Sequence, residues 1–168
     1  MLDLLETGHF CLRETADQPF LGWDANSIRI ATWAKFYDRA AQLDFYVFNM
    51  HFDHKGKIAR TKSAKLLLQK IKEINFLHIP TFITGDFNAL KGNGILKPIR
   101  DEHDNARSMA INSDSHKSFN AWGRWYLCRN IDYIFYDQGR AFSFKTIIGD
   151  YGVPYISDHY LIIAYFNY

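Results

Sequence analysis

Four short segments of the sequence place carboxylate, amide or imidazole side chains at the ends of apolar stretches. These segments are residues 49–54, 85–88, 130–135 and 157–159. Imidazole gains or loses a proton near neutral pH, and it is the side chain that most often transfers protons in catalysis. Each segment alone is common in proteins, so the question is which of these side chains meet in the fold.

In the first segment Asn49, His51 and Asp53 alternate with Met50 and Phe52. With the two-residue period of a β-strand, the three polar side chains share one face of the strand. One interpretation is a strand with a solvated face. The other is that local acceptors hold His51 at a site that needs a proton donor.

The second segment, residues 85–88, directly follows the apolar run IPTFIT. Asp86 and Asn88 are two residues apart, so an extended backbone would point the carboxylate and the amide in the same direction. Loops after strands collect functional groups in α/β folds, although Asp and Asn are also ordinary turn formers.

The remaining two segments contain further acids and one more imidazole. Asp132 is a carboxylate inside an otherwise apolar run, and burying it without a partner would cost several kcal/mol. We therefore expect a cationic or imidazole partner for Asp132. Asp158 and His159 are adjacent, so in an extended segment they point to opposite sides and serve different partners.

The elements that must position these groups follow from the hydrophobic pattern. Residues 28–36 and 43–52 have the alternation and aromatic content of strands, and they predict a hairpin across the polar turn at 37–42. Apolar residues recur at helical spacing from Lys57, and Asn75 is a helix stop signal. Further elements are predicted as strands at 79–84, 131–136, 141–148 and 160–166 and as a short helix near 102–110. This order predicts an α/β fold in which two sheets pack face to face.

Length and composition exclude several classes of protein. The 168 residues fit a single domain, and 48% apolar with 23% charged residues excludes a disordered chain. No stretch approaches the roughly 18 apolar residues of a membrane span. A net charge of +2 gives no strong steering toward nucleic acid or a membrane surface.

Two cysteines, Cys11 and Cys128, are too few for a disulfide framework and weakly favour a reducing compartment. The N-terminus lacks the basic and apolar regions of a signal peptide. We therefore favour a cytoplasmic location, with the reservation that a leader could precede residue 1.

In this order, the motifs NMHFDH, GDFN, IDYIF and SDH resemble the endonuclease/exonuclease/phosphatase superfamily, which has the deoxyribonuclease I-like fold. The resemblance covers roughly residues 10–168, and residues 22–36 look most similar to bacterial members. It implies a two-sheet α/β sandwich with helices outside. It also implies hydrolysis of phosphodiester or phosphomonoester bonds by an activated water, with Mg²⁺ or Mn²⁺ as cofactor.

The resemblance assigns a role to four of the polar residues near the strand ends. Asp86 would orient or deprotonate the water and contribute to the metal site. Asn88 would hold the phosphate or a metal-bound oxygen. His159 would contact the scissile phosphate, with Asp132 as its partner.

The remaining assignments concern the transition state, the metal and the substrate. His51 would stabilise the transition state or protonate the leaving oxygen, supported by Asn49, which we also count with the substrate-binding residues. Asp158 would be a metal-site carboxylate. Arg29 and Trp33 are expected on one strand face, where they could line the substrate cleft.

The chain also departs from the family pattern. The principal metal ligand of the family is a Glu, usually in a Gln-Glu pair after an apolar strand, and no acid before Asn49 fits that description. The N-terminal part of the domain is therefore expected to be missing. Its loss would expose rings such as Trp33, Phe45 and Phe48, which a homo-oligomer or the missing half could cover. This expectation would explain the aromatic content of 17%.

An aromatic and basic cluster lies just before IDYIF. Its members are Trp122, Arg124, Trp125, Tyr126 and Arg129. Stacking of Trp125 on a base or sugar is one interpretation. Ordinary packing of rings near a loop is the interpretation that we favour.

The remaining histidines receive structural interpretations. His54 is expected to make a structural hydrogen bond. The others have no ligand-like spacing and are expected on the surface; they are His9, His78, His103 and His116.

Three functions remain open from the sequence. The first is a metal-dependent phosphoesterase acting on nucleic acid, a phospholipid head group or a small ester. The second is a non-catalytic or truncated homologue that acts as a binding or self-associating module. The third is a sugar- or nucleotide-binding module that uses the aromatic residues.

Overall fold

The alternating and aromatic-rich segments form nine strands in a computed structural model that describes residues 1–167. The strands are β1 (Leu2–Cys11), β2 (Ile30–Asp38), β3 (Leu43–His51), β4 (Thr81–Asp86), β5 (Asp104–Asn105), β6 (Asn112–Ser113), β7 (Asp132–Tyr136), β8 (Arg140–Ile147) and β9 (Leu161–Asn167). The helices are α1 (Lys57–Ile74), α2 (Lys97–Glu102) and α3 (Ala106–Met109), with short 3₁₀ turns at Gly94–Leu96, Ala121–Gly123 and Trp125–Leu127.

The strands pair into a large sheet with the order β1-β2-β3-β4-β7-β5 and a small sheet with the order β6-β8-β9. β3 and β4 are parallel, so their carboxyl ends meet at the same edge of the large sheet. β7 is antiparallel to β4 and begins at that edge. His51 therefore stands opposite Asp86, and Asp86 stands opposite Asp132.

Helix α1 covers one face of the large sheet. Its apolar stripe includes Leu67, which is fully buried and belongs to the same hydrophobic cluster as Phe48, Ile83 and Phe135 on the sheet. Truncating such a residue to Ala typically costs about 2–5 kcal/mol, so this layer holds β3 and β4 firmly beneath the polar edge.

The small sheet packs on the other face of the large sheet. The Phe166 ring of β9 lies with its centroid 4.8 Å from that of Phe82 and 4.9 Å from that of Tyr136. Next to this contact is an apolar groove of about 330 Å³, lined in part by Phe45, Val47 and Phe82. The two-sheet α/β sandwich expected from the sequence is therefore confirmed.

Most predicted elements are confirmed, with shifted ends. The hairpin of β2 and β3 is antiparallel, and α1 ends before Asn75, whose N–H donates to the Ile71 carbonyl. The short helix predicted near 102–110 is found as α3, which is shorter than the predicted range because the two residues of β5 separate it from α2. β1 was not predicted, since its sequence has no clear alternation; it pairs along the outer edge of β2.

The exposure expected for three aromatic rings is only partly found. Phe48 is fully buried under α1, so the prediction for this ring is wrong. Trp33 packs on Tyr46 at 5.9 Å between centroids, on the α1 side of the sheet and away from the cleft expected for it. Phe45 lines the apolar groove.

None of the helices within residues 1–167 is long and apolar enough to cross a membrane.

Candidate active site

Asp86, the last residue of β4, lies at the base of a polar cleft. Gly85 before it has a φ of 141°, and a Cβ at Gly85 would overlap the Met50 carbonyl of β3. The carboxylate of Asp86 is only 12% exposed. Burial raises the pKa of Asp86 to about 6; the N–H of Asn88 opposes this shift and the charge of Asp132 adds to it.

Asn88 closes a tight turn behind Asp86. Its φ of 47° lies in the left-handed region, which Asn tolerates better than most residues. Its backbone N–H donates to Asp86 Oδ1 at 2.7 Å, and its side-chain amide donates to the Phe52 carbonyl at 3.0 Å. The same amide nitrogen lies 3.1 Å from Nε2 of His51. Asn88 therefore connects the ends of β3 and β4.

His51, the last residue of β3, turns its ring toward Asp86, with 3.3 Å between Nε2 and Asp86 Oδ2. Desolvation lowers the pKa of His51, and the positive charges of Arg29 and His159 lower it further. The imidazole is therefore mainly neutral at physiological pH in the absence of other ligands.

His159 reaches the cleft from the small sheet, just before β9. Its Nδ1 lies 2.8 Å from Oδ2 of Asp132, and its Nε2 lies 3.8 Å from Oδ2 of Asp86. The hydrogen bond to Asp132 raises the pKa of His159. Because a carboxylate only accepts, Nδ1 carries the proton and Nε2 faces the cleft. The imidazole partner expected for Asp132 is thus present.

The cleft has a volume of about 560 Å³ and a wall of mixed chemistry. Arg29, His54 and Arg129 add cationic or donor groups to it, and Phe119 with Ile131 gives it an apolar side. Such a mixture suits an anionic group attached to a less polar remainder. His54 also makes the expected structural contact, with its Nδ1 3.4 Å from Nη2 of Arg29.

Within residues 1–167, one set of acidic and imidazole groups could hold a metal ion. Ligand atoms of Asp86, Asp132 and His159 lie within 4.8 Å of one another. Asp158, predicted as a metal-site carboxylate, lines the cleft but is not a member of this set. Carboxylate oxygens suit hard cations such as Mg²⁺ and Mn²⁺, so the donor set is compatible with such an ion.

Two predicted substrate-binding residues lie outside the cleft wall described above. Asn49 is exposed on β3, where its Oδ1 accepts a hydrogen bond from the Thr84 hydroxyl at 3.1 Å. Trp125 is 83% exposed and contacts Tyr126 edge to face. The two rings therefore pack on each other near a loop, while most of the Trp125 ring remains exposed.

Asp53 does not share the face of His51, so that prediction is also wrong. Its side chain is 1% exposed, and its carboxylate accepts four backbone N–H groups, from residues 26, 27, 55 and 56, at 2.7–3.0 Å. Burial by itself would raise the pKa of Asp53, but these four hydrogen bonds lower it to about 2. Asp53 thus fastens the loop before β2 to the loop before α1.

One histidine assigned to the surface is buried. His103 is 7% exposed and neither ring nitrogen has a hydrogen-bond partner within residues 1–167. Burial lowers its pKa, so it is a neutral core residue. His9, His78 and His116 are exposed as expected.

Sequence reasoning missed residues 118–120, which lie beside His159. The Phe119 ring centroid is 4.9 Å from that of His159, while Ser118 and Asn120 are buried. A Ser-Phe-Asn tripeptide in a polar stretch resembles any loop, so the sequence carried no signal for this arrangement.

The chain matches one known protein family over most of its length. The family model described as "Endonuclease/Exonuclease/phosphatase family" matches residues 10–159. A comparison with curated proteins found no match.

Three solved structures are similar over nearly the whole chain. An endonuclease/exonuclease/phosphatase from Bacteroides vulgatus is 33% identical, with a TM-score of 0.90, over 99% of this chain and 66% of that chain. A mannosyl-6-phosphatase from Bacteroides thetaiotaomicron is 27% identical, with a TM-score of 0.87, over 99% and 67%. A further family protein from Bacteroides thetaiotaomicron is 28% identical, with a TM-score of 0.84, over 96% and 64%. The chain thus spans about two thirds of the length of these structures.

Proposed function

This chain belongs to the endonuclease/exonuclease/phosphatase family, and from that premise we propose that it hydrolyses a phosphate ester, with water as nucleophile and Mg²⁺ or Mn²⁺ as cofactor. The observation that supports the proposal best is the meeting of Asp86, His51 and His159 in one cleft, with Asp132 behind His159. Phosphoryl transfer needs mainly positioning and charge stabilisation, and these groups supply both.

His159 is the residue best placed to hold the scissile phosphate. Asp132 fixes its tautomer through Nδ1, so Nε2 is directed at the cleft. The raised pKa of His159 favours an imidazolium, which would donate to a phosphoryl oxygen and stabilise the negative charge that develops there.

Asp86 is the proposed base for the attacking water. A carboxyl with a pKa of about 6 is ionised at neutral pH, yet it is basic enough to accept a proton in the transition state. Asn88 holds one oxygen of Asp86 through its backbone N–H and leaves the other oxygen toward the cleft. Asn88 would also contribute its side-chain amide to the bound phosphate.

His51 would assist the departure of the leaving group. It lies on the β3 side of Asp86, across from His159 on the β7 side, so a phosphate between the two rings would meet both. The other phosphate oxygens would face Arg29, whose guanidinium lines the cleft. Because His51 is mainly neutral in the free protein, the negative charge of the bound phosphate would first have to raise its pKa, after which the imidazolium would donate a proton to the leaving oxygen.

Asp86 is the proposed central carboxylate for the cation, because it lines the cleft and also belongs to the grouped ligand atoms. Asp158 is the proposed second carboxylate from the cleft wall, since Asp132 of the grouped set is already bonded to His159. Within residues 1–167, Asp86 pairs with imidazoles rather than with Lys or Arg, which leaves its charge available to a cation. When bound, such an ion supplies Lewis-acid stabilisation of phosphate charge and lowers the pKa of water.

A sugar phosphate is the first substrate class that we would test. One relative, at 27% identity, is a mannosyl-6-phosphatase. A cleft of about 560 Å³ with Arg29 and Arg129 on its wall suits a small anionic ester. Trp125, exposed outside the cleft, is a candidate to stack on the remainder of the substrate.

The proposal is tested by hydrolysis assays with Mg²⁺ or Mn²⁺ on mannose 6-phosphate, p-nitrophenyl phosphate, bis-p-nitrophenyl phosphate and plasmid DNA. We expect turnover that EDTA abolishes and that Asp86→Ala and His159→Ala reduce by at least about 10²-fold. His116→Ala, which removes an exposed imidazole, is the matched control and should keep full activity. Activity that survives both site variants would refute the proposed site.

A non-catalytic binding module is the second candidate function. It is favoured by the exposed ring of Trp125 and by the position of Asp158 outside the one set of grouped metal-ligand atoms found within residues 1–167. Calorimetric titration with Mn²⁺ separates the two functions. No measurable affinity at millimolar Mn²⁺, together with no turnover, would favour the binding module.

A further inference from the structure

Asp132 begins β7 of the large sheet, His159 lies in the loop just before β9 of the small sheet, and residues 118–120 connect the two. We propose that these residues, called here the bridging segment, position His159 for catalysis and that Asn120 is the principal positioning residue. The inference rests on the proposed phosphoesterase function for its kinetic readout, and it also has a readout that needs no activity.

His159 needs additional contacts to hold its imidazole in place, because it follows a long and largely exposed loop. Asp132 starts β7 of the large sheet, whereas His159 precedes β9 of the small sheet after a long loop from β8. That loop, residues 148–160, contains Gly149, Gly152 and Pro154 and is largely exposed at 149–154. A productive imidazole must nevertheless lie within about 1 Å of its working position, since such misplacement can cost about 10²-fold in rate.

Ser118 and Phe119 of the bridging segment are hydrogen-bonded to the residues at the start of β7, next to Asp132. Ser118 is fully buried, and its hydroxyl oxygen accepts the N–H of Asp132 at 3.3 Å and that of Ile131 at 3.4 Å. Phe119 exchanges two backbone hydrogen bonds with Arg129, at 3.0 and 3.2 Å. The start of β7 is therefore bonded directly to the segment.

The bridging segment is also hydrogen-bonded to the two chain neighbours of His159. The carbonyl of Ser118 accepts the N–H of Tyr160 at 2.7 Å, and the Asn120 N–H donates to the Asp158 carbonyl at 2.8 Å. These bonds flank His159 on both sides along the chain. The Phe119 ring packs on the imidazole itself, with 4.9 Å between ring centroids.

Asn120 stands out because its side chain is 2% exposed and is hydrogen-bonded through both its nitrogen and its oxygen. Its amide nitrogen donates to the Ser157 carbonyl at 3.0 Å, and its Oδ1 accepts the N–H of Trp122 at 2.9 Å. The first bond holds the loop two residues before His159, while the second stabilises a turn in which Trp122 has a left-handed φ of 55°. Only an amide offers both a donor and an acceptor at this spacing.

Asn120→Ala is the first test. We expect kcat to fall by at least about tenfold, with KM changed less than twofold, because the variant displaces the imidazole without removing a cleft-lining group. Asn120→Asp keeps the acceptor for Trp122 and loses the donor to Ser157. It should lower kcat as Asn120→Ala does, and wild-type kcat in Asn120→Asp would overturn the assignment to the Ser157 bond.

The matched control is Asn75→Ala. Asn75 is 4% exposed and its amide donates to the Ile79 carbonyl at 2.7 Å and the Thr81 hydroxyl at 2.9 Å, at the far end of β4. Its loss should lower the melting temperature and leave kcat unchanged. A fall in kcat in Asn75→Ala as large as in Asn120→Ala would show that general destabilisation explains both, and would overturn the proposal.

An NMR measurement tests the positioning without any turnover. In the wild type, at a pH high enough for the ring to be neutral, the imidazole ¹⁵N signals of His159 should report a single tautomer protonated at Nδ1, held by Asp132. In Asn120→Ala and Asn120→Asp these signals should move toward a mixture of tautomers, while Asn75→Ala keeps the wild-type pattern. Unchanged His159 signals in folded Asn120→Ala would overturn the proposal, even if the protein hydrolyses nothing.

Discussion

Nδ1 of His159 lies 2.8 Å from Oδ2 of Asp132, a hydrogen bond that joins the small sheet to the large one at the floor of the cleft. This hydrogen bond has two physical consequences. It gives a partner to a carboxylate that begins an otherwise apolar strand, and it fixes which ring nitrogen of His159 faces the substrate.

Asp132→Asn should lower kcat by about 10- to 100-fold, since an amide holds the Nδ1–H tautomer of His159 less firmly than a carboxylate. The measurement is steady-state hydrolysis of p-nitrophenyl phosphate at pH 7.5. Asp104→Asn, on the neighbouring strand β5 with an exposed side chain, is the control and should be neutral. An unchanged kcat in Asp132→Asn would remove Asp132 from the mechanism.

Asp86→Asn should stabilise the metal-free protein at pH 7.5. The folded pKa of Asp86, about 6, is above its usual value of 3.8, so the folded state holds this proton more tightly than the unfolded state. Stability is therefore lost as pH rises from about 4 through 6, by about 3 kcal/mol in total. Neutral Asn avoids this cost, and the melting temperature should rise by roughly 5 °C or more.

The pH dependence provides the check on that prediction. At pH 4.5 the Asp86 carboxyl is mainly protonated in the folded state and only about a third of the cost is present, so the melting temperatures of wild type and Asp86→Asn should differ much less than at pH 7.5. A constant difference between pH 4.5 and 7.5 would contradict the raised pKa. Mn²⁺ should stabilise the wild type at pH 7.5 and have little effect on Asp86→Asn.

Asp53→Asn should destabilise the fold by roughly 3 kcal/mol, because an amide NH₂ would face backbone N–H groups that now donate to the carboxylate. The folded pKa of Asp53 is about 2, below the usual value, so its contribution is present above pH 4 and is lost as pH falls toward 2. Urea denaturation at pH 7 and pH 3 measures both effects. Asp17→Asn, an exposed acid in a nearby loop, should change neither.

Trp125→Ala should raise KM for a sugar phosphate or nucleotide by about fivefold or more, equivalent to roughly 1 kcal/mol of lost stacking, with kcat little changed. Phe76→Ala is the matched control, since Phe76 is 71% exposed in the turn after α1. Equal KM values in Trp125→Ala and wild type, for every ester that is turned over, would exclude Trp125 from substrate binding.

Local patterns predicted most of the framework. Periodicity fixed the hairpin of β2 and β3 and the whole of α1, because a buried face imposes a spacing that a sequence displays directly. β1 was not predicted because it is an edge strand with mostly exposed side chains, and exposed positions show little alternation of apolar and polar residues. The sequence also predicted that Asp132 needs a partner, since burying an unpaired carboxylate in an apolar strand costs several kcal/mol of folding free energy.

Other features of the site depend on tertiary contacts that spacing does not display. Asp53 looked like a neighbour of His51 in a two-residue period, but β3 ends at His51 and the next residues turn inward. Ser118 bonds to Asp132, 14 positions away, and Asn120 bonds to Ser157, 37 positions away, so no short pattern identifies them. His103 is buried by the packing around α2, which its local sequence did not indicate.

Gly85 has a consequence for how this protein can evolve. Any side chain there would collide with the Met50 carbonyl, so β3 and β4 would have to part at the point where His51 and Asp86 stand opposite each other. In a saturation library selected only for folded protein, position 85 should therefore retain glycine almost alone. Selection for folding would then protect the register of the cleft, whether or not catalysis is under selection.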